Sequence, residues 1–96
     1  MRKYELMLIL PAESDEAVVT RVVDRINSTL AEGKGQVGKL DRWGRRRLAF
    51  EIDKQSEGYY LVADLEAEPD ALTELDRVLH LADDVIRFKV LLKPAA

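Results

Sequence analysis

An α+β fold is what this sequence predicts: one four-stranded antiparallel sheet with two helices on one of its faces. Three observations predict it. Four segments alternate apolar and polar residues with period two, two further segments repeat apolar residues at three- and four-residue spacing, and the six follow one another as β-α-β-β-α-β. Crossovers between strands of one sheet are right-handed, which places both helices on the same face. A length of 96 residues allows a single domain, 1–96, and an apolar fraction of 47% suffices to bury a core.

The first strand spans residues 3–10, with Tyr4, Leu6, Leu8 and Leu10 on one face and Lys3, Glu5, Met7 and Ile9 on the other. Pro11 ends it. Ser14 supplies a helix N-cap, Asp15 and Glu16 add first-turn acids that complement the helix dipole, and Val19, Val22, Val23, Ile26 and Leu30 form the apolar stripe. Gly33 and Gly35 are placed to end that helix. From Gln36 to Ile52 the chain reads as one long strand whose alternation changes phase near Gly38 or Gly44, the mark of a bulge. Leu48, Phe50 and Ile52 share a face and anchor this strand to the core. Residues 54–58, polar and ending in glycine, predict a hairpin loop into a strand over 59–66, where Tyr59, Leu61, Ala63 and Leu65 face one way. Pro69 and Asp70 open a second helix carrying Leu72, Leu75 and Leu79, which ends near Leu81 or Ala82. A last strand over 85–92 sets Ile86, Phe88, Val90 and Leu92 against Val85, Arg87, Lys89 and Leu91, before Pro94 stops it.

This arrangement is the ferredoxin-like split β-α-β sandwich. Its second sheet face has no helix to cover it and would show Lys3, Glu5, Met7, Ile9, Tyr60, Val62, Asp64, Arg87, Lys89 and Leu91. That mixture is too apolar in places to be purely solvated, which makes it a candidate contact surface.

Composition excludes several classes of chemistry. Without cysteine there is no disulfide scaffold, thiolate zinc site or thiol catalysis, and the single His80 lacks partners for a metal site or a triad. The apolar run Leu6 to Leu10 follows Glu5 and is too short for a signal peptide or a membrane span, so a soluble intracellular chain is expected. The segment from Pro11 to Asp15 is acidic and free of glycine, and would repel the phosphate that an acylphosphatase-like enzyme cradles after its first strand. No catalytic residue, metal or cofactor is expected. An RNA-recognition motif shares this topology and stacks bases on aromatics of its central strands. Its third-strand pattern is matched here only at Gly58, Tyr59 and Val62, and Tyr59 and Leu61 share the inward parity of Leu65. A stacking platform on the open sheet is therefore not expected either.

A net charge of −3 argues against a polyanionic partner, but the charge is uneven. Residues 33–47 hold Lys34, Lys39, Arg42, Arg45, Arg46 and Arg47 against the lone acid Asp41, whereas the stretch from Asp64 to Asp84 is strongly acidic. Such a chain binds an anion on one side only; a solvated surface with uneven charge is the plainer alternative. Arg42 and the run Arg45 to Arg47 favour the former, because guanidinium suits phosphate and base-edge recognition better than ammonium does. In Trp43-Gly44-Arg45-Arg46-Arg47-Leu48-Ala49-Phe50-Glu51-Ile52 a basic run beside a glycine lies on a strand that can present it to a phosphate backbone.

At these residues the sequence resembles the bacterial small-subunit ribosomal protein six family, which carries a Gly-x-basic-basic-Leu-Ala-aromatic-x-Ile signature in its second strand. Gly44, Arg46, Arg47, Leu48, Ala49, Phe50 and Ile52 match it, and the similarity extends to Met1-Arg2-x-Tyr4-Glu5, to Lys54 and Gly58-Tyr59, and to Val85 and Arg87. Two departures are Phe50, where the family usually has Tyr, and Asp53, where it commonly has a basic or small residue. The resemblance implies a ribonucleoprotein component of the small ribosomal subunit that binds the central domain of the small-subunit ribosomal RNA together with ribosomal protein eighteen. Under it, Arg2, Lys3, Arg45, Arg46, Arg47, Arg87 and Lys89 are the expected RNA contacts, and Met7, Trp43, Tyr60 and Val62 the expected partner surface, with a core role for Trp43 equally open. No membrane and no small-molecule substrate are implied. The competing reading is a small-molecule-sensing or oligomerising regulatory domain of the same topology, which usually offers a glycine-containing loop after the first strand.

Overall fold

The period-two segment that opens the chain forms strand β1 (Arg2–Pro11), paired antiparallel with a strand on each side. The computed structural model describes residues 2–52 and 55–93, giving the backbone only for residues 49–52 and 55. After β1 come α1 (Glu16–Ala31), β2 (Gln36–Ile52), β3 (Gln55–Ala67), α2 (Pro69–Leu81) and β4 (Arg87–Leu92), and the sheet order is β2-β3-β1-β4. This is the predicted ferredoxin-like arrangement. No described helix is long and apolar enough to cross a membrane.

The core forms where the stripes of both helices meet one face of the sheet. Leu6, Leu8 and Leu10 of β1, Leu61 and Leu65 of β3, Val19, Val22, Ile26 and Leu30 of α1, and Leu75 and Leu79 of α2 are all essentially removed from water. Each contributes about 1.5–3 kcal/mol relative to an exposed position. The amphipathic spacing read from the sequence thus selects the buried face of β1, β3, α1 and α2.

Element ends differ from the predicted ones for local reasons. Asp15, not Ser14, caps α1: its carboxylate accepts from the Val18 amide at 3.1 Å, while the Ser14 amide donates to the Pro11 carbonyl and closes the turn behind β1. The predicted loop over 54–58 is largely strand, since β3 starts at Gln55, with Ile52 opposite Gln55 and Gly58 opposite both Arg46 and Pro11. Alternating pairing outweighs the polarity of this segment because its partners already lie alongside. Lys54 and Pro94 fall outside the described residues. β4 begins at Arg87 rather than at residue 85, and Leu92, predicted to face inward, is 59% exposed at the strand's end.

The register of β2 against β3 shifts three times, between Val37 and Leu40, between Arg42 and Gly44, and between Arg47 and Ile52. The first two fall at both Gly38 and Gly44, where the sequence predicts a single phase change near one or the other, and Gly44 takes a φ of 78°, a left-handed conformation that L side chains adopt at a cost. These shifts reverse one prediction. Leu48 is buried, but on the open face of the sheet: a Cβ placed on Gly58 would meet Ile9 Cγ2 at 2.5 Å and Leu48 Cδ2 at 3.4 Å, so the two side chains close over that glycine. The side chains of Phe50 and Ile52 lie outside the described set.

Candidate nucleic-acid interface

Cross-strand pairing sets which predicted residues meet. Directly opposed residues share a sheet face, so Gly44, Tyr60, Ile9 and Arg87 form one row across the open face, and Asp41, Val62, Met7 and Lys89 form the next. Gly58 lies between Arg46 and Pro11, one step toward the hairpin end. In the bulge, Trp43 reaches the open face and lies parallel to Tyr60, with ring centroids 6.4 Å apart and planes 5° from parallel. At 47% exposure Trp43 is not a core residue. Of the four expected partner-surface residues, Met7, Tyr60 and Val62 thus sit together at the middle of this face, and Trp43 sits at its β2 border. The open face thus carries an aromatic pair built from the exposed Trp43 and the partly buried Tyr60, whereas Tyr59 packs on the helix side as its parity indicated.

The arginine run is divided by the strand. Arg45 lies opposite Tyr59 and Arg47 opposite Glu57, on the helix side, while Arg46 lies opposite Gly58 on the open side. It is also divided by its partners. Arg42 pairs with Glu16 at the start of α1, Arg45 with Glu57, and Lys39 with Asp41 at 3.8 Å. The cationic pole of residues 33–47 is therefore about half neutralised, and among its described side chains Lys34, Arg46 and Arg47 carry no ion pair. These pairs are solvent-exposed, worth about 0–1 kcal/mol each, so a phosphate can displace their carboxylates. Arg46 is nonetheless oriented, because its Nε donates to the Trp43 carbonyl at 3.3 Å.

Arg87 and Lys89 project from β4 on the open face, three strands from β2, and neither has an ion-pair partner among the described residues. Arg2 and Lys3 lie elsewhere. They pair with Ala67 and Glu66 at the far end of the sheet, nine positions along β1 from Pro11, which at about 3.3 Å per residue sets them about 30 Å from the Arg46 end. The seven expected RNA contacts thus lie in three places: Arg45 to Arg47 on β2, Arg87 with Lys89 on β4, and Arg2 with Lys3 at the far end of the sheet. Sequence alone did not reveal Gly58 as a constituent of this surface, although its size is what lets Ile9 and Leu48 meet; the signal available was its parity with Tyr60. Among the described residues no cluster of His, Asp or Glu is arranged to hold a metal ion.

The chain was compared with known proteins. The family model for ribosomal protein S6 matches residues 3–91. The small ribosomal subunit protein bS6 of Streptomyces griseus is 50% identical over 91 residues, covering 95% of both chains. That of Corynebacterium glutamicum is also 50% identical over 91 residues, covering 95% of this chain and 96% of its own. Among solved structures, 30S ribosomal protein S6 from Thermotoga maritima superposes with a TM-score of 0.84 at 30% identity, over 96% of this chain and 87% of that one. Matches of this extent, on a sheet whose topology and second-strand signature agree, mean that the chain belongs to the ribosomal protein S6 family, a family of structural ribosomal proteins rather than enzymes.

Proposed function

We propose that the protein is a structural constituent of the small ribosomal subunit, binding the central domain of the small-subunit ribosomal RNA together with ribosomal protein eighteen. It works in the cytoplasm on the ribosome, and its chemistry is recognition without catalysis. The observation that carries the reading is Arg46, a guanidinium without an ion pair among the described residues, held at the hairpin end of an edge strand beside the aromatic pair of Trp43 and Tyr60, with Arg47, likewise without an ion pair there, next to it on the other sheet face. Arginine at such a place supplies forked donors to phosphate oxygens and planes that stack on bases. Arg45 joins them when phosphate displaces Glu57, and Arg87 with Lys89 adds positive charge across the same face. Arg2 and Lys3 form a second contact on the RNA, about 30 Å away. The partner protein takes the middle of the open face, where Met7, Tyr60 and Val62 cluster, and Trp43 borders both surfaces.

Tagged protein recovered from a bacterial lysate should bring down small-subunit ribosomal RNA and one small basic protein. Ribonuclease should remove the RNA and leave the protein pair. Recovery of neither would contradict the reading.

A further inference from the structure

We propose that the free surface of Trp43 stacks an unpaired RNA base, with Arg46 on the phosphate beside it. The proposal rests on the RNA reading above and narrows its ligand to a single-stranded nucleotide instead of a duplex groove. Trp43 presents nearly half its surface to solvent, yet its ring is not loose. It lies parallel to Tyr60, and the left-handed Gly44 next to it fixes the bulge from which it projects. An indole oriented before binding loses little freedom when a base lies on it, and any base offers a π-face. Beside it the surface is open: apart from Gly44's two chain neighbours, a Cβ built on Gly44 would meet nothing within 4 Å.

Arg46 supplies the second element. Its Nε is tied to the carbonyl of Trp43 itself, at 3.3 Å, which keeps the guanidinium next to the indole. It has no carboxylate partner among the described residues. A planar aromatic flanked by an unneutralised guanidinium suits a nucleotide, which presents a ring and an anion a few ångströms apart. A protein side chain would satisfy only one of the two groups.

Trp43 is the only tryptophan of the chain, so its emission reports directly on the site. The probe is a transcript of the central domain of the ribosomal RNA, titrated into the full chain with ribosomal protein eighteen present, with the Trp43→Phe variant as the fluorescence blank. Stacking predicts quenching that saturates along the binding isotherm. Trp43→Ala should weaken binding about 5- to 150-fold while leaving the circular dichroism unchanged, and Trp43→Phe, which keeps a stacking ring, should retain most of the affinity. Replacing the responsible unpaired nucleotide by an abasic one should abolish the quenching. RNA that binds without altering the emission would overturn the proposal alone. A blue shift caused by protein eighteen before RNA is added, with no further change on adding RNA, would also overturn it and assign Trp43 to the protein interface. RNA that fails to shift the protein in a gel would overturn the RNA reading itself.

Discussion

Lys34 has a φ of 65°, the one positive value at a described non-glycine residue. Around it the end of α1 forms a Schellman turn: the Gly35 amide donates to the Leu30 carbonyl at 2.8 Å and the Lys34 amide to the Ala31 carbonyl at 3.0 Å. That places a lysine at the position glycine usually fills. Gly33 and Gly35 flank it, so the composition of the segment pointed to a helix end but not to which residue would turn left-handed. A non-glycine residue there costs about 1–2 kcal/mol, and glycine returns part of this through its freedom in the unfolded chain. Lys34→Gly should therefore raise stability by about 0.5–1 kcal/mol, read as a higher urea midpoint with an unchanged slope.

Among the elements, β2 decides where function sits. Its alternation sends Arg45 and Arg47 to one face and Arg46 to the other, and only Arg46 stands next to the aromatic pair. The helices and inner strands were legible because their apolar periods run unbroken from cap to stop; α2 even begins at the predicted Pro69. β2 was legible as a strand but not in its facing. Two of its register shifts were marked by glycines, whereas the third, between Arg47 and Ile52, contains none, and Leu48 turned out to lie against Ile9 on the open face. Nor does composition reveal that the long hairpin places Glu57 within reach of Arg45. That exposed pair makes a prediction of its own. Glu57→Gln should change stability by no more than about 0.5 kcal/mol, since surface pairs contribute little, and should strengthen RNA binding by freeing Arg45 for phosphate. Filter binding at fixed salt checks the second effect; unchanged or weaker binding would show that Arg45 does not reach the RNA.

For the molecule as a whole, a net charge of −3 is compatible with RNA binding because cations that lack an ion pair gather toward the hairpin end of the open sheet face. α1 balances Glu16 and Asp24 with Arg21 and Arg25, α2 sets Asp70, Glu74 and Asp76 against Arg77, and several of these charges are paired, as Asp84 beyond α2 is with Arg21 and Arg25. The open face also carries Glu5, and Asp41 and Asp64 paired with Lys39 and Lys93, while toward its hairpin end Arg46, Arg87 and Lys89 have no such partners among the described residues. Attraction toward that end of the sheet orients a polyanion before contact is made.

The salt dependence of RNA binding tests this most directly. With ribosomal protein eighteen present, the joint variant Arg46→Glu and Arg47→Glu should keep the wild-type fold. It should bind the central-domain RNA more weakly, with a logarithmic salt slope shallower by up to about 1.4 to 1.8, or about 0.7 for each lost contact to single-stranded phosphate and about 0.9 for each to duplex phosphate. Wild-type affinity and an unaltered slope would place the RNA elsewhere on the molecule and contradict the account.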